Sequence, residues 1–266
     1  MPHPFFEVSI PVIIGHRGAA GSAPENTLTS FTRGLELGAT ILESDIHVTR
    51  DGVPVLIHDS SVDRTTDGRS PVADLSLGEL RKLDAGHRFS TDHGESFPER
   101  GQGVRIPTLE EAFEAFPDAR FNLEIKARPE ALITGVIELV EKFERAERTL
   151  LTAGENEIML ELRRQRKARN GRFAIGASTA DILAVVKAAL ANGPAPEDVM
   201  ALQIPEDFGG RPLVTRELIE FAHGAGIAVH VWTINEPEQM SRLLALGVDG
   251  LVTDHPERMA ELLGRS

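Results

Sequence analysis

The sequence has no cysteine and no tyrosine, and Trp232 is its single tryptophan. The absence of cysteine excludes disulfide bonds, thiolate metal sites and a cysteine nucleophile, and it is consistent with a cytoplasmic protein. No run of about 18 or more apolar residues occurs, so the sequence predicts no membrane-spanning helix. The N-terminus has no basic region before its short apolar run, and we therefore expect no signal peptide.

Basic residues are also scarce relative to acidic ones. The chain has 28 Lys and Arg against 41 Asp and Glu, which gives a formal net charge of −13. Such a surface repels nucleic acids and anionic membranes, so we expect neither as a partner and no stable membrane insertion. An anionic substrate would need a locally positive pocket or a bound cation. Nothing in the composition decides whether the chain forms a homo-oligomer.

Short β-rich apolar runs alternate with helical patterns along nearly the whole sequence. Hydrophobic residues make up 41% of the chain, which is enough for a sizeable core. The alternation predicts βα units around a parallel sheet, and about eight repeats favour a (β/α)8 TIM barrel. The length of 266 residues is compatible with one barrel domain over residues 1–266. An open, doubly wound sheet is the alternative.

The predicted strands are Val12–His16, Ile41–His47, Pro54–His58, Arg120–Ile125, Thr149–Thr152, Phe173–Ile175, Val199–Ile204, Ala228–Thr233 and Gly250–Thr253. The predicted helices are Glu25–Leu37, Leu109–Phe116, Pro129–Arg145, Glu157–Ala168, Asp181–Ala191, Arg216–Ala225, Glu236–Leu246 and Pro256–Leu263.

Two regions do not fit the regular alternation. The second and third predicted strands are joined by a short turn with Asp51-Gly52, which is a hairpin signal, whereas parallel neighbours need a crossover of about a dozen residues. One of these strands is therefore irregular, or the chain bends between them. Residues Ala85–Arg105 are polar, glycine-rich and without periodicity, and we interpret them as an insertion near the barrel mouth.

Three carboxylates lie on predicted strands that should be almost entirely apolar in a barrel. Glu43 and Asp45 are two residues apart, so they share one face of a strand, and Glu124 and Lys126 do the same on another. Acids that converge at the C-terminal mouth repel one another unless a cation lies between them. Oxygen ligands without cysteine indicate Mg²⁺ or Ca²⁺. Pairing of each acid with a nearby Arg or Lys is the alternative.

Two histidines close apolar runs: His16 ends the stretch VIIGH, and His58 ends the stretch VLIH. Histidine is suited to proton transfer near neutral pH, and two together can serve as a general acid and a general base. A lone histidine at a strand end is more often structural, but two such ends beside carboxylates weaken that interpretation. Arg17 and Lys126 add positive charge, for which phosphate is the usual reason.

Other residues have competing interpretations. Trp232 ends a predicted strand, where it suits a pocket wall against the alcohol part of a substrate as well as it suits the core. Ser22 as N-cap with Glu25 three residues later predicts a capping box, which gives Glu25 a structural role. Asp59 follows His58 and either orients it or holds the turn. Two more polar residues lie near strand ends, Gln203 and Asp254.

Seven motifs occur in an order that resembles the glycerophosphodiester phosphodiesterase family. They are HRG…PENT, ESD, HD…RTTDG, IPTLEE, LEIK, VWTIN and GVDGLVTDHP, and they extend from Ile14 to about Pro256. The resemblance implies a distorted TIM barrel related to bacterial phosphoinositide phospholipase C. It also implies hydrolysis of deacylated phospholipids to sn-glycerol 3-phosphate and an alcohol, with a divalent cation, either Mg²⁺ or Ca²⁺.

The resemblance also implies a role for each matching residue. It makes His16 and His58 the catalytic pair, and it places Ala85–Arg105 in the family's insertion beside the active site. The implied metal ligands are Glu43, Asp45 and Glu124. The implied phosphate-binding residues are Arg17 and Lys126. The nucleophile is either the glycerol 2-hydroxyl, which gives a cyclic phosphate, or water.

Two other functions compete with this one. Related barrels act as lysophospholipase D on intact lysophospholipids, which requires an apolar route for an acyl chain. Residues 85–105 offer few apolar side chains for such a route, among them Phe89, Phe97 and Val104. A non-catalytic barrel that only binds a phosphate ligand is the second alternative. The presence of both His16 and His58 argues against it, because a pure binder needs no pair for proton transfer.

Overall fold

The computed structural model describes residues 3–128 and 130–265. Its strands are β1 (Val12–Gly15), β2 (Ile41–Val48), β3 (Pro54–Leu56), β4 (Arg120–Ile125), β5 (Thr149–Thr152), β6 (Ala174–Ile175), β7 (Ala201–Pro205), β8 (Asp207–Phe208), β9 (Arg211–Pro212), β10 (Ala228–Trp232) and β11 (Gly250–Thr253). Its α-helices are α1 (Leu28–Glu36), α2 (Leu77–Leu80), α3 (Leu109–Ala115), α4 (Glu130–Lys142), α5 (Asn156–Ala168), α6 (Thr179–Ala191), α7 (Arg216–Gly224), α8 (Pro237–Leu246) and α9 (Pro256–Leu262). Short 3-10 helices lie at Pro4–Phe6, Val72–Asp74 and Ala146–Arg148.

A parallel sheet forms the centre of the fold. Its strand order is β6, β5, β4, β2, β1, β11, β10, β7, with β3 attached to β2. The two ends of this row also meet, because the backbone N–H of Met200 donates to the carbonyl oxygen of Ile175. The sheet therefore curves into a nearly closed eight-stranded barrel with helices around it. This confirms the predicted (β/α)8 barrel and excludes the open, doubly wound sheet.

The barrel strands alternate between two environments. Outward residues such as Leu42 and Leu123 pack against the surrounding helices, for example against Phe113 of α3. Inward residues in the N-terminal half of the barrel are apolar, and Phe5 of the 3-10 helix Pro4–Phe6 packs against them. This apolar filling comprises Phe5, Val12, Ile14, Ile41, Leu150, Ala174, Ala201 and Val252. Inward polar residues are consequently concentrated at the C-terminal ends of the strands.

The turn at Asp51-Gly52 is a hairpin, as its sequence predicts. Strand β3 pairs antiparallel with β2, with His47 opposite Val55, and β3 stands outside the row of parallel strands. The third predicted strand is therefore the irregular one. Its antiparallel direction brings the chain back toward the rim of the barrel, so that His58 follows β3 near the carboxylates of β2.

A long excursion of the chain connects β3 to α3. It contains the short helices Val72–Asp74 and α2, and its residues Val62, Leu80 and Val104 form an apolar cluster of their own with Val55. Residues 85–105 contain turns and bends but neither helix nor strand, as predicted. The excursion is thus longer than the predicted insertion, and Ala85–Arg105 is its second half.

The start of α1 corrects one prediction. The helix begins at Leu28, and Thr27 is its N-cap, with the Thr27 side chain accepting from the backbone N–H of Ser30. The predicted capping box with Ser22 is therefore wrong, because the residues after Ser22 form turns and release Glu25 for other contacts. The predicted helix start at Pro129 lies outside the described residues.

The prediction has no counterpart for α2, for the hairpin of β8 with β9, in which Phe208 pairs with Arg211, or for the three 3-10 helices. All of these elements are too short to produce a periodic pattern. Within residues 3–128 and 130–265, no helix has the length and apolar character needed to cross a membrane.

Candidate active site

A cavity of about 220 Å³ opens at the C-terminal ends of the barrel strands. All eight site residues predicted from the sequence line it: His16, Arg17, Glu43, Asp45, His58, Glu124, Lys126 and Trp232. Further lining residues are Asn122, Thr152, Gln203, Thr233 and Val252. These side chains come from strands that are far apart in the chain, so the barrel closure is what brings them together. No lining residue of this cavity belongs to Ala85–Arg105 within the described chain.

A tight turn after β1 places the first basic residue. Arg17 has a φ of 50° and Gly18 a φ of 96°, so the chain reverses immediately after His16. A Cβ atom at Gly18 would lie 2.5 Å from the backbone carbon of Ser30, which only glycine avoids. The turn directs the backbone N–H of Arg17 to Oε2 of Glu43 at 3.0 Å. One end of this carboxylate is thereby held in place.

His16 is held by a carboxylate that directly follows the last barrel strand. Its Nδ1 lies 2.6 Å from Oδ1 of Asp254, and Oδ2 of Asp254 accepts from Nδ2 of Asn235 at 2.7 Å. Burial opposes the charge on His16, but the hydrogen bond to Asp254 and the negative charge of Glu43 outweigh it and raise its pKa above the ordinary value. Nε2 is left as the ring nitrogen that can serve the cavity.

His58 has a similar arrangement, built from the excursion that follows β3. Its Nδ1 lies 2.7 Å from Oδ1 of Asp59, and Nε of Arg64 donates to Oδ2 of the same carboxylate at 2.7 Å. The hydrogen bond from Arg64 lowers the pKa of Asp59 to about 2. Asp59 therefore stays ionised over the working pH range of most enzymes and can orient the imidazole.

A chain of charged side chains joins the two halves of the site. Both oxygens of Glu25 accept from Arg64, at 2.6 and 2.7 Å, and Oε1 also accepts from Nη1 of Arg17 at 2.7 Å. Arg64 thus bridges Asp59 to Glu25, and Glu25 fixes Arg17. The sequence interpretation assigned Glu25 to a helix cap and gave Arg64 no role. The RTTDG motif around Arg64 was the signal available for finding it.

The carboxylates of β2 and β4 lie against two cationic side chains. Nζ of Lys126 is 3.2 Å from Oδ1 of Asp45 and 2.8 Å from Oε2 of Glu124, and Nε of Arg17 is 3.4 Å from Oδ2 of Asp45. Burial opposes ionisation of Asp45, but Lys126 and Arg17 outweigh it and lower its pKa. Burial, with the nearby charge of Asp45, raises the pKa of Glu43 to about 7.

The donor set has the chemistry of a hard-cation site, since its three side chains supply only carboxylate oxygens. They lie on the adjacent strands β2 and β4, with Asp45 in register with Glu124. In this arrangement, no three His, Asp or Glu side chains of the described residues are grouped closely enough to hold an ion. Lys126 stands between Asp45 and Glu124, so a cation shared by these carboxylates requires the ammonium group to move.

The remaining wall of the cavity is mixed. Trp232 ends β10 and is 45% exposed, so its ring stands at the mouth and is not part of the core. Asn122 is buried below Glu124, and its Oδ1 has no hydrogen-bond partner within the described chain. These residues give the cavity an aromatic rim above a polar floor.

The comparisons with known proteins agree with this geometry. The family model described as "Glycerophosphoryl diester phosphodiesterase family" matches residues 16–258. A glycerophosphodiester phosphodiesterase of Caldanaerobacter subterraneus is 34% identical over 261 residues, which covers 95% of this chain and 97% of that protein. A lysophospholipase D of Homo sapiens is 28% identical over 277 residues, which covers 94% of this chain and 85% of that protein.

A solved structure shows the same fold. A phosphodiesterase from Oleispira antarctica, solved in complex with the product sn-glycerol-3-phosphate, superposes with a TM-score of 0.78 at 27% identity. The match covers 96% of this chain and 97% of that one. The family model, the relatives and the barrel with its cavity lead to one conclusion. The chain belongs to the glycerophosphoryl diester phosphodiesterase family, whose members are phosphodiester-cleaving enzymes.

Proposed function

We propose that this enzyme hydrolyses glycerophosphodiesters to sn-glycerol 3-phosphate and an alcohol by two-histidine acid/base catalysis with a divalent cation. One observation carries the proposal. His16 and His58, each with an aspartate on Nδ1, line the cavity that also contains the three carboxylates and two cationic side chains. A site that only bound phosphate would have no use for two oriented imidazoles.

The charges in the cavity suit a phosphodiester. Arg17 and Lys126 are the two cationic side chains that reach it, and we assign both to the non-bridging phosphate oxygens. Arg17 is pre-positioned by Glu25, which limits the freedom it loses on binding. Phosphate binding also gives Lys126 an alternative partner to Asp45 and Glu124, which would release these carboxylates.

Proton transfer is assigned to the two histidines. One imidazole accepts the proton of the nucleophilic hydroxyl as its oxygen forms a bond to phosphorus. The other donates a proton to the alcohol oxygen as the bond from phosphorus to that oxygen breaks. Asp254 and Asp59 hold the two rings by Nδ1, so each ring exchanges its proton through Nε2.

The nucleophile we favour is the 2-hydroxyl of the glycerol moiety. Its attack gives a cyclic glycerophosphate and the free alcohol, and water then opens the cyclic ester to sn-glycerol 3-phosphate. The two imidazoles exchange roles between the steps: the ring that donated a proton in the first step accepts one from water in the second, and the other ring donates one to the oxygen that is released. Direct attack by water is the alternative. Phosphorus NMR of the reaction mixture distinguishes them, because a five-membered cyclic phosphate has a resonance well separated from the diester and the monoester.

The cation would be held by Glu43, Asp45 and Glu124, and Mg²⁺ and Ca²⁺ are the ions that suit these oxygens. A bound divalent cation would neutralise phosphoryl charge and polarise the bond to the departing oxygen. The chain itself supplies the anionic pocket: Glu43 and Asp45 lie side by side in a buried place, which is costly without a counter-charge.

The experiment that tests this function measures release of sn-glycerol 3-phosphate from glycerophosphocholine and glycerophosphoethanolamine. Parallel reactions contain Mg²⁺, Ca²⁺ or EDTA, and His16→Ala is the inactive control. We expect release with a cation, none with EDTA and at most about a hundredth of the wild-type rate from the variant. Release that is unaffected by EDTA would refute the metal-dependent mechanism, and release by His16→Ala at the wild-type rate would refute the histidine mechanism.

Lysophospholipase D activity is the second candidate, since a relative 28% identical is known by that activity. The exposed ring of Trp232 offers an apolar surface at the cavity mouth for the start of an acyl chain. Lysophosphatidylcholine in micelles is the matching substrate, with choline release as the readout. A higher kcat/KM on the micelles than on glycerophosphocholine would replace the first proposal with this one.

Cytoplasmic location stays a prediction, which cell fractionation tests.

A further inference from the structure

Gln203 has buried polar atoms for which the protein offers no partner. It lies on β7, in register with His230 of β10, and its side chain lines the cavity. Its Oε1 and its Nε2 are both shielded from solvent, and neither has a hydrogen-bond partner among the described residues. A buried amide without partners costs free energy, and most such groups in proteins are satisfied. The Gln203 carboxamide is therefore a place where a ligand group is expected.

The surroundings of Gln203 leave room for its carboxamide. A Cβ atom added at Gly176 would lie 2.7 Å from Oε1 of Gln203 and 2.5 Å from Oγ1 of Thr152. The lack of a side chain at Gly176, directly after β6, thus leaves room for the Gln203 carboxamide where β6 and β7 close the barrel. Asn122, which is 3% exposed, lines the same cavity with an unpartnered Oδ1. Asn122 stands on β4, however, in register with Glu43 of β2. On the side of β5 and β7, the polar lining residues Thr152 and Gln203 are neutral.

The strand order separates the two sides. In the row β6, β5, β4, β2, β1, β11, β10, β7, strand β7 is four places from β2, which is halfway around a ring of eight. Gln203 therefore lies across the barrel from Glu43 and Asp45. A ligand whose phosphate lies beside Arg17 and the β2 carboxylates extends toward Gln203 with its uncharged part.

We propose that Gln203 binds the terminal hydroxyl group of the glycerol moiety and thereby selects glycerol-bearing phosphodiesters. This inference rests on the proposed function, since it assigns a residue to that substrate. A carboxamide offers one acceptor and one donor group, and a hydroxyl both donates and accepts, so the two can pair reciprocally. A site that hydrogen-bonds a substrate hydroxyl discriminates strongly against ligands that lack it, because its own polar groups are then left unpaired.

The test compares Gln203→Met, which keeps the length and removes the hydrogen-bonding atoms, with the wild type on two diesters. Glycerophosphocholine carries both glycerol hydroxyls, whereas 2-hydroxypropyl phosphocholine keeps the 2-hydroxyl that serves as nucleophile and lacks the terminal one. We expect kcat/KM for glycerophosphocholine to fall at least tenfold, about what the loss of one or two hydrogen bonds gives, and kcat/KM for the hydroxypropyl diester to change less than twofold. Equal losses on both substrates, or no loss on either, would overturn the inference.

Two further variants serve as controls for this test. Gln239→Met makes the same replacement on α8, where the side chain contacts Glu206 outside the cavity, and it should leave both substrates unaffected. Gln203→Asn retains the carboxamide on a shorter stem. If Gln203→Met does not fold, Gln203→Asn should show the same selective loss, and an Asn variant with wild-type selectivity would overturn the inference.

A binding measurement separates failure of this inference from failure of the proposed function. Calorimetric titration of sn-glycerol 3-phosphate and of methyl phosphate needs no turnover. We expect the wild type to prefer sn-glycerol 3-phosphate at least tenfold, and Gln203→Met to lose that preference while still binding methyl phosphate. Absence of turnover on any glycerophosphodiester, with this preference intact, would refute the proposed reaction alone. A preference that persists in Gln203→Met would refute the role of Gln203 alone.

Discussion

Nδ1 of His16 lies 2.6 Å from Oδ1 of Asp254, although 238 residues separate the two in the chain. The contact follows from the register of β1 and β11, in which Gly15 is opposite Thr253. The residues that come next on these neighbouring parallel strands emerge side by side at the barrel mouth. The first and last strands of the barrel thus jointly build one candidate catalytic group.

Asp254→Asn should move one limb of the pH profile. Burial opposes the charge on His16, and Asp254 helps to outweigh it and raise the pKa of His16, so removal of that charge should lower the pKa. The limb of the kcat/KM profile that reports His16 then shifts to lower pH, whether His16 is the acid or the base. Asp249→Asn is the matched control, because Asp249 pairs with His223 outside the cavity. A profile of Asp254→Asn that superposes on the wild type contradicts the assignment.

His16→Ala and His58→Ala should each reduce kcat by about 10²–10⁴-fold, the usual contribution of a general acid or base. Both side chains lie at the rim and outside the apolar clusters, so the variants should stay folded. Kinetics and thermal melting measure the two effects separately. His93→Ala is the control, since His93 is exposed in the 85–105 segment. Wild-type turnover by either active-site variant would disprove the two-histidine mechanism.

Glu43→Gln should weaken the binding of Mg²⁺ or Ca²⁺ at least tenfold, because it removes one proposed ligand charge. The readout is the rise in melting temperature with added cation, which requires no substrate. The exposed Glu36→Gln provides a control with the same change in net charge. If added cation does not raise the melting temperature of the wild type, and the wild type hydrolyses the diester in EDTA, these carboxylates are not metal ligands.

Arg64→Lys should lower kcat/KM about tenfold and leave the melting temperature nearly unchanged. A lysine cannot make the fork of hydrogen bonds by which Arg64 joins Asp59 to Glu25. Since Arg64 holds Asp59, and Asp59 holds His58, the loss should include a fall in kcat, which depends on the orientation of the His58 ring for proton transfer. Arg50→Lys is the control, because Arg50 makes a comparable pair with Glu79 on the surface. Equal losses in both variants would count against a positioning role.

His230 should make the protein less stable in mild acid. Burial lowers the pKa of His230 to about 4, against 6.5 in the unfolded chain, and the nearby charge of Asp249 offsets this only in part. Above pH 6.5 both states are neutral, and between pH 6.5 and about 4 only the unfolded state takes the proton. The free energy of unfolding should therefore fall as pH falls, by about 1.4 kcal/mol per pH unit and about 3 kcal/mol in all.

Urea unfolding at a series of pH values measures this dependence. His230→Leu should show a correspondingly weaker decline, because its side chain has no proton to gain. His93→Leu is the comparison variant, since His93 is exposed in the 85–105 segment and its replacement should leave the decline in place. An unchanged decline in His230→Leu would assign the acid sensitivity to other groups.

The sequence by itself determined the barrel and identified most of the charged side chains that line its cavity. Apolar strands such as Val12–Gly15 alternate with capped helices, and this local pattern needs no knowledge of distant contacts. The site residues could be found because a charged residue inside a barrel strand, such as Glu43 or Glu124, conflicts with the pattern around it. The Asp51-Gly52 turn likewise marked the strand that leaves the parallel row. The single-domain organisation stays a prediction.

Only the tertiary structure decided how these residues act together. The pairing of Asp254 with His16, the bridge from Arg64 to Glu25 and the position of Lys126 between two carboxylates depend on side chains from distant parts of the chain. Glu25 was misread for this reason: its local spacing from Ser22 fits a helix cap, but its partners are Arg17 and Arg64. Local patterns determine which elements form, whereas barrel closure and register determine which ends of those elements meet.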